Sequence, residues 1–282
     1  MQLQKIKSYA KINLSLNVIG LKKNKLHKIE SIVSFLDLHD MIYLKDIKSK
    51  KHKITFVGKF SKGIPKKNTV SKLLLLLDSK NYLKGKKFEI KIIKNIPQRS
   101  GMGGGSMNAA NLISFFIKKN IIKLNKKELI NLTSKIGSDV ILGIIRKNTI
   151  LSCNDKITRF KKKIGLYALI VKPKIGCSTH FIYSKVRGYS KPLYQKPNKI
   201  ILNKEMLVNS NNDLEKLALK AYPKLNQLKI FMNNLHNYLF IRMTGSGSSI
   251  IVYFQSKKAT VVALKLIKKK FKDYWFFVSK TL

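Results

Sequence analysis

The chain has 282 residues, 44% of them hydrophobic, and carries 58 Lys and Arg against 13 Asp and Glu, a net charge of +45. Those values suit one large domain or two small ones with a sizeable core and exclude a disordered or collagen-like chain; the two cysteines, Cys153 and Cys177, support no disulfide framework and point to a reducing, cytoplasmic setting. Only five basic residues are arginine, the side chain whose fork suits base recognition, so the charge reads as the lysine drift of an AT-rich genome that favours a small anionic substrate over a specific nucleic acid.

Taken in chain order, the first residues carry no apolar leader, and no signal peptide is read there. From Ser8 to Val18, Ile12, Leu14, Leu16 and Val18 alternate with Lys11, Asn13, Ser15 and Asn17, the two-residue period of a strand. Lys11 and Asn13 on one face can hold a substrate oxygen and stabilise negative charge on a moving phosphoryl group; a solvated strand face explains the same spacing. The longest aliphatic run, Leu73 to Leu77, falls far short of the ~20 residues that cross a bilayer, so no membrane partner is expected.

The most informative segment begins at a second strand pattern, Phe88, Ile90 and Ile92 alternating with Glu89 and Lys91. It continues as Pro97-Gln98-Arg99-Ser100-Gly101-Met102-Gly103-Gly104-Gly105-Ser106-Met107 and enters a helix whose apolar stripe is Ala109, Leu112, Ile113, Phe116 and Ile117. A strand, a glycine loop and a helix N-terminus in that order let backbone N–H groups and the positive helix end face a nucleotide phosphate, with Lys94 and Arg99 adding positive charge. The order is neither that of a P-loop nor that of a dinucleotide-binding turn, and a flexible surface loop is the plainer alternative.

Asp139, in Lys135-Ile-Gly-Ser-Asp139-Val-Ile-Leu-Gly143, is a rare carboxylate among small and apolar neighbours. It suits a general base for a hydroxyl proton and equally a helix N-cap. A polar, basic stretch from Asn154 suggests a boundary, giving domains 1–153 and 154–282. Near the end, Arg242-Met-Thr-Gly245-Ser246-Gly247-Ser-Ser249 precedes the strand Ile250 to Phe254, an anion-accepting turn or a tight hairpin. The mixture of strands and helices makes the class α+β.

Together these segments resemble the GHMP kinase family. The resemblance rests on Ala10 to Leu14, Ile96 to Ala110, Gly137 to Val140 and Met243 to Gly247, supported by Ser34 to Asp40 and Asn211-Asn-Asp-Leu-Glu215. It implies a two-domain fold with the active site in the inter-domain cleft, and transfer of the ATP γ-phosphoryl group to the 2-hydroxyl of a cytidine diphosphate-linked methylerythritol, a step of isopentenyl diphosphate synthesis by the non-mevalonate route. By the same resemblance Asp139 acts on that hydroxyl while Lys11 pairs with Asp139. Residues Pro97 to Met107 wrap the ATP phosphates, Asn68 lies near the nucleoside, and Mg2+ rides on the nucleotide, with no protein metal site. Asn13, His27, Thr179, Tyr183, Gly245, Ser246 and Gly247 fall to the acceptor, His27 at the cytosine edge and Tyr183 stacked on the base.

The sequence departs from the family pattern at Asn24-Lys25-Leu26-His27, where Leu26 replaces an aromatic ring and weakens the expected base clamp, at Met107 in place of a serine, and at Tyr9 in place of a proline. Kinases for mevalonate or homoserine, and a basic RNA-binding protein, are the alternatives; the expected assembly is a monomer or weak homodimer.

Overall fold

The computed structural model describes residues 2–23 and 25–282; Met1 and Asn24 lie outside the described residues, so of the stretch 24–27 the structure describes Lys25, Leu26 and His27. The chain forms two compact units that share its length in alternation. The described residues within 1–11, 38–98 and 103–146 build the first, and those within 12–37, 99–102 and 147–282 the second.

Two long strands, β1 (Gln4–Leu21) and β2 (His27–Ile47), contribute to both units. In the first unit they are followed by β3 (Lys53–Val57), α1 (Thr69–Ser79), β4 (Lys87–Ile93), α2 (Gly104–Lys118), α3 (Lys126–Ile136) and the short α4 (Val140–Gly143). β4 pairs antiparallel with β2, Leu44 opposite Ile90, and parallel with β3, Ile54 opposite Ile90. The alternation read from the sequence sets the burial: Phe88, Ile90 and Ile92 point inward and meet Leu112, Ile113 and Phe116 of α2 in one core. The Leu73 to Leu77 run is the buried face of α1, with Leu75 turned out to solvent. The first four N–H groups of a helix lack intrahelical partners, and two asparagines supply caps here, Asn68 for α1 and Asn125 for α3, both as capping boxes.

The second unit continues with β5 (Asn148–Leu151), β6 (Ile157–Phe160), β7 (Tyr167–Lys172), α5 (Thr179–Tyr183), a 3-10 turn at Lys199–Leu202, α6 (Lys204–Asn209), α7 (Asp213–Ala221), α8 (Pro223–Asn233), β8 (Phe240–Met243), β9 (Ile250–Phe254), α9 (Lys257–Lys270) and β10 (Trp275–Lys280). A four-stranded antiparallel sheet in the order β10-β7-β9-β8 packs Leu169, Val171, Ile250, Val252 and Phe254 against α7, α8 and α9, and Leu16 and Val18 of β1 join this core. The polar stretch from Asn154, read as a boundary, is instead a tight turn leading into β6, which pairs with β5 inside this unit. The chain's last passage between units falls at Arg146–Lys147, and no single cut at 153 separates them. Cys153 and Cys177 are both free thiols.

Candidate active site

The first unit gathers Lys11, Asp139 and the second half of the glycine loop. Gly103 is the N-cap of α2 in the left-handed region, φ +65°, and makes no side-chain cap, so the helix opens with backbone N–H groups alone. A Cβ on Gly103 would stand 2.9 Å from Lys11 Cγ: the lysine stem runs along this glycine, so any larger residue there has to push the lysine aside. Its ammonium, 4% exposed, meets Asp139 Oδ2 at 2.9 Å. Asp139 does take the N-cap position of α4, but its carboxylate makes no capping bond and turns to Lys11. The positive end of α2, an ammonium and a carboxylate thus lie together.

The rest of the loop is held from below. Thr69 Oγ1 donates to Gly105 O at 2.7 Å, and the Ser106 hydroxyl lies beside Gly137. Asn68, expected at the nucleoside, has its amide fully engaged locally: Oδ1 accepts from Val70 and Ser71 N–H, and Nδ2 donates to Pro65 and Lys66 carbonyls. Met107 is buried, its sulfur against Gly143, and its N–H already donates to Gly103 O at 2.8 Å. Lys94 reaches under Gly104 as expected, but its ammonium is paired with the fully buried Asp40, which also accepts the Asn95 and Ile96 N–H groups, so its charge is neutralised there. Pro97 is buried, and Gln98 Nε2 donates to the Phe60 and Lys62 carbonyls, tying down the loop entrance. Tyr9 lies under the Arg146 guanidinium, 4.2 Å from the ring centre.

The second unit joins the first half of the loop to the C-terminal glycine turn. Ser248 N–H donates to Arg99 O at 3.2 Å and Ser249 N–H to Ser100 O at 3.3 Å. Gly101, φ +75°, lies so close to Thr244 that a Cβ would fall 1.9 Å from its carbonyl oxygen, and Gly245 faces the Gly101 carbonyl in return. Met102 is wholly buried, and the Arg99 stem lies along Gly176 while the residue itself stays exposed. Thr244 bonds in two directions: its hydroxyl accepts the Asn13 N–H at 3.0 Å and donates to Gly101 O at 3.3 Å. Asn13 Oδ1 faces Gly245, while its Nδ2 donates to Ser31 Oγ at 2.8 Å.

The polar face of β1 is therefore no solvated surface. Asn13, Ser15 and Asn17 are all buried, Ser15 accepting from Ile32 N–H and Tyr194 O–H, and Asn17 donating to the fully buried Glu30. Elsewhere in this unit the His27 and Tyr183 rings lie 4.9 Å apart, and partial burial holds His27 below its ordinary value of 6.5, so it is neutral at pH 7 with one ring nitrogen to donate and one to accept. Leu26, next to it, is exposed. Thr179 Oγ1 and Ser246 Oγ share a 2.8 Å hydrogen bond, and Gly245, Ser246 and Gly247 are buried. Sequence reasoning missed Thr244 and Asp40 as supports, because each acts on a partner distant in the chain. Among the described residues no group of three or more His, Cys, Asp or Glu side chains could hold a metal ion, and no helix is long and apolar enough to cross a membrane.

Family models bear on this arrangement directly: residues 68–146 match the GHMP kinases N terminal domain and residues 195–273 the GHMP kinases C terminal domain. A 4-diphosphocytidyl-2-C-methyl-D-erythritol kinase of Pelagibacter ubique is 55% identical over 278 residues, 99% of each chain, and one of Clostridium kluyveri is 32% identical over 98% of this chain and 99% of its own. A crystal structure of 4-(cytidine 5'-diphospho)-2C-methyl-D-erythritol kinase superposes with a TM-score of 0.77 at 20% identity, covering 98% of this chain and 99% of that one. Homoserine kinase from Cytophaga hutchinsonii gives 0.70 at 16%, covering 100% and 95%. At those identities the solved structures establish the shared two-domain α+β fold, and the close sequence relatives establish the group within it. The chain belongs to the GHMP kinase family, among the 4-diphosphocytidyl-2-C-methyl-D-erythritol kinases.

Proposed function

We propose that the protein transfers the γ-phosphoryl group of ATP to the 2-hydroxyl of 4-diphosphocytidyl-2-C-methyl-D-erythritol, releasing ADP and a proton, in the non-mevalonate route to isopentenyl diphosphate. The observation that carries this reading is the Lys11–Asp139 pair, 2.9 Å apart, with the lysine stem lying on the glycine that opens α2. Phosphoryl transfer asks little covalent chemistry of a protein; it asks for positioning and for charge where charge develops. The N–H groups at the start of α2, through Gly103, Gly104, Gly105 and Ser106, bind the ATP phosphates, and Lys11 stabilises the transferred group. Asp139 orients the acceptor hydroxyl and takes its proton. Mg2+ bound to the nucleotide would neutralise charge on its phosphates, with no protein metal site required. Asn68 serves the loop indirectly, by capping the helix whose first residue bonds Gly105.

The acceptor falls to the second unit. His27, neutral and able both to donate and to accept, reads the edge of cytosine, and Tyr183 stacks on its face. Asn13, Thr179 and the Gly245–Ser246–Gly247 turn hold the remaining oxygens. The test is purified protein with magnesium-ATP and a panel of the cytidyl substrate, mevalonate and homoserine, following ADP release. Turnover is expected with the cytidyl substrate alone, and Asp139→Asn lowers kcat by roughly 10²-fold or more, the scale of a lost general base. Equal turnover of wild type and variant would remove Asp139 from the mechanism, and turnover of mevalonate or homoserine alone would redirect the substrate assignment.

A further inference from the structure

The segment Asn211-Asn-Asp-Leu-Glu215 opens α7, and the reaction as derived uses none of it. Asn212 is the N-cap: its Oδ1 accepts the Leu214 N–H at 3.0 Å, which leaves the amide nitrogen with two hydrogens. Both go to the glycine turn, to Met243 O at 2.7 Å and Gly245 O at 2.8 Å. Glu215 accepts the Met243 N–H with Oε2 at 2.5 Å, and its Oε1 meets Lys229 Nζ at 2.6 Å. Met243 is thus gripped at its N–H and its carbonyl, and Gly245 at its carbonyl, by one helix end. The same helix end grips β1: Leu16 N–H donates to Asn211 O at 2.9 Å, and Asp213 Oδ2 accepts the Val18 N–H at 2.7 Å and the Ser190 hydroxyl at 2.8 Å. β1 carries Asn13, and the turn carries Thr244, whose hydroxyl joins Asn13 to Gly101.

We infer that Asn212 and Glu215 are positioning residues that fix the Met243–Gly247 turn against β1 and, through Thr244, set Asn13 and Gly101 in place; the inference rests on the kinase reading and deepens it. Neither side chain is offered to a ligand. Asn212 is 6% exposed with its amide atoms all engaged, and both Glu215 oxygens have partners inside the unit. Of the groups that depend on them, Asn13 is assigned to the acceptor and Gly101 to the phosphate loop, so the effect falls on the binding of both substrates.

The variant Asn212→Asp keeps the cap oxygen and the volume but turns a carboxylate oxygen toward two carbonyls. It is expected to raise KM for the cytidyl substrate and for ATP by roughly tenfold, with kcat changing less, the pattern of lost binding geometry. A purely structural role would lower the active fraction and leave KM where it was. Glu215→Ala is expected to behave like Asn212→Asp, whereas Glu215→Gln, which keeps an acceptor for the Met243 N–H, restores KM toward wild type. Amide hydrogen exchange gives a readout that needs no activity. Residues 243–249 exchange faster in Asn212→Asp while β7 and β9 keep their protection. Unaltered KM values in an active Asn212→Asp enzyme overturn the inference, as does unchanged exchange at 243–249. A wild-type protein that phosphorylates no alcohol counts against the kinase reading, and the exchange experiment then decides the positioning role on its own.

Discussion

Gly101 and Gly103 stand two residues apart in one loop, yet a methyl group added at each meets a different obstacle. At Gly101 it would fall 1.9 Å from the Thr244 carbonyl oxygen, backbone against backbone, with φ at +75°. Neither backbone segment of that contact can yield without moving the glycine turn, so Gly101→Ala is expected to cost roughly 2–4 kcal/mol of stability, the range of strained backbone combined with a core clash. At Gly103 the methyl meets the flexible stem of Lys11 at 2.9 and 3.0 Å, and the stem can swing aside. The ammonium then leaves Asp139. Gly103→Ala therefore loses only about 1–2 kcal/mol of stability, the cost of a left-handed alanine, while kcat falls by about 10²-fold. Thermal melts and steady-state kinetics on the two variants test the contrast; a Gly103→Ala enzyme with normal kcat would show that Lys11 does not need this glycine. The sequence made the glycines visible but could not tell them apart, because what separates them is a carbonyl 143 residues away in one case and a lysine stem near the N-terminus in the other.

At the scale of elements, local periodicity was enough wherever an element's character is set by its own residues. The strand read at Ile250 to Phe254 is β9 with those bounds, and the apolar stripe from Ala109 to Ile117 lies within α2. Periodicity gave the face of β1 but not what covers it: Ser15 is met by Tyr194, 179 positions on, and no spacing rule reaches that far. The same limit hid the junction that ties the start of β3 to β4 and α1. There the Phe88 N–H donates to His52 Nδ1 at 3.0 Å, which requires that nitrogen to be unprotonated, and Nε2–H faces Asp78 Oδ2 at 3.1 Å with Lys87 Nζ 2.7 Å from the same oxygen. Burial lowers the His52 pKa from its ordinary 6.5, partly opposed by Asp78. The folded state thus binds this proton less readily than the unfolded state, and stability is full above pH 6.5 and declines as pH falls below it. Protonation would also set an N–H against the Phe88 N–H. Urea midpoints at about pH 7.5 and 5.5 should fall more for wild type than for His52→Gln, which has nothing to titrate there. An equal decline in both would place the acid sensitivity elsewhere.

The whole molecule carries a net charge of +45, with 58 basic residues against 13 acidic ones. Of the acidic side chains, Asp40, Glu30, Asp213 and Glu215 are engaged inside the fold, so little negative charge remains to offset lysines on the surface. Two consequences compete at the level of the full chain. Self-repulsion favours expansion, and a positive field draws anions, including the two phosphate-bearing substrates. Both act between exposed charges and are screened over a Debye length of about 8 Å at physiological ionic strength, whereas the Lys11–Asp139 and Lys94–Asp40 pairs, with their buried lysines, are screened much less. Raising monovalent salt from about 20 to 300 mM is therefore expected to increase the melting temperature and to raise KM for ATP, with kcat nearly constant, because steering weakens while the chemistry between partly buried groups does not. RNA should bind at the low-salt end and be lost steeply as salt increases, and Lys11→Met should leave that binding unchanged, since one buried ammonium adds nothing to a surface of lysines. RNA affinity that persists at 300 mM salt, or that collapses in Lys11→Met, would mean that the charge had been selected for a nucleic acid and that the phosphate loop takes part in holding it.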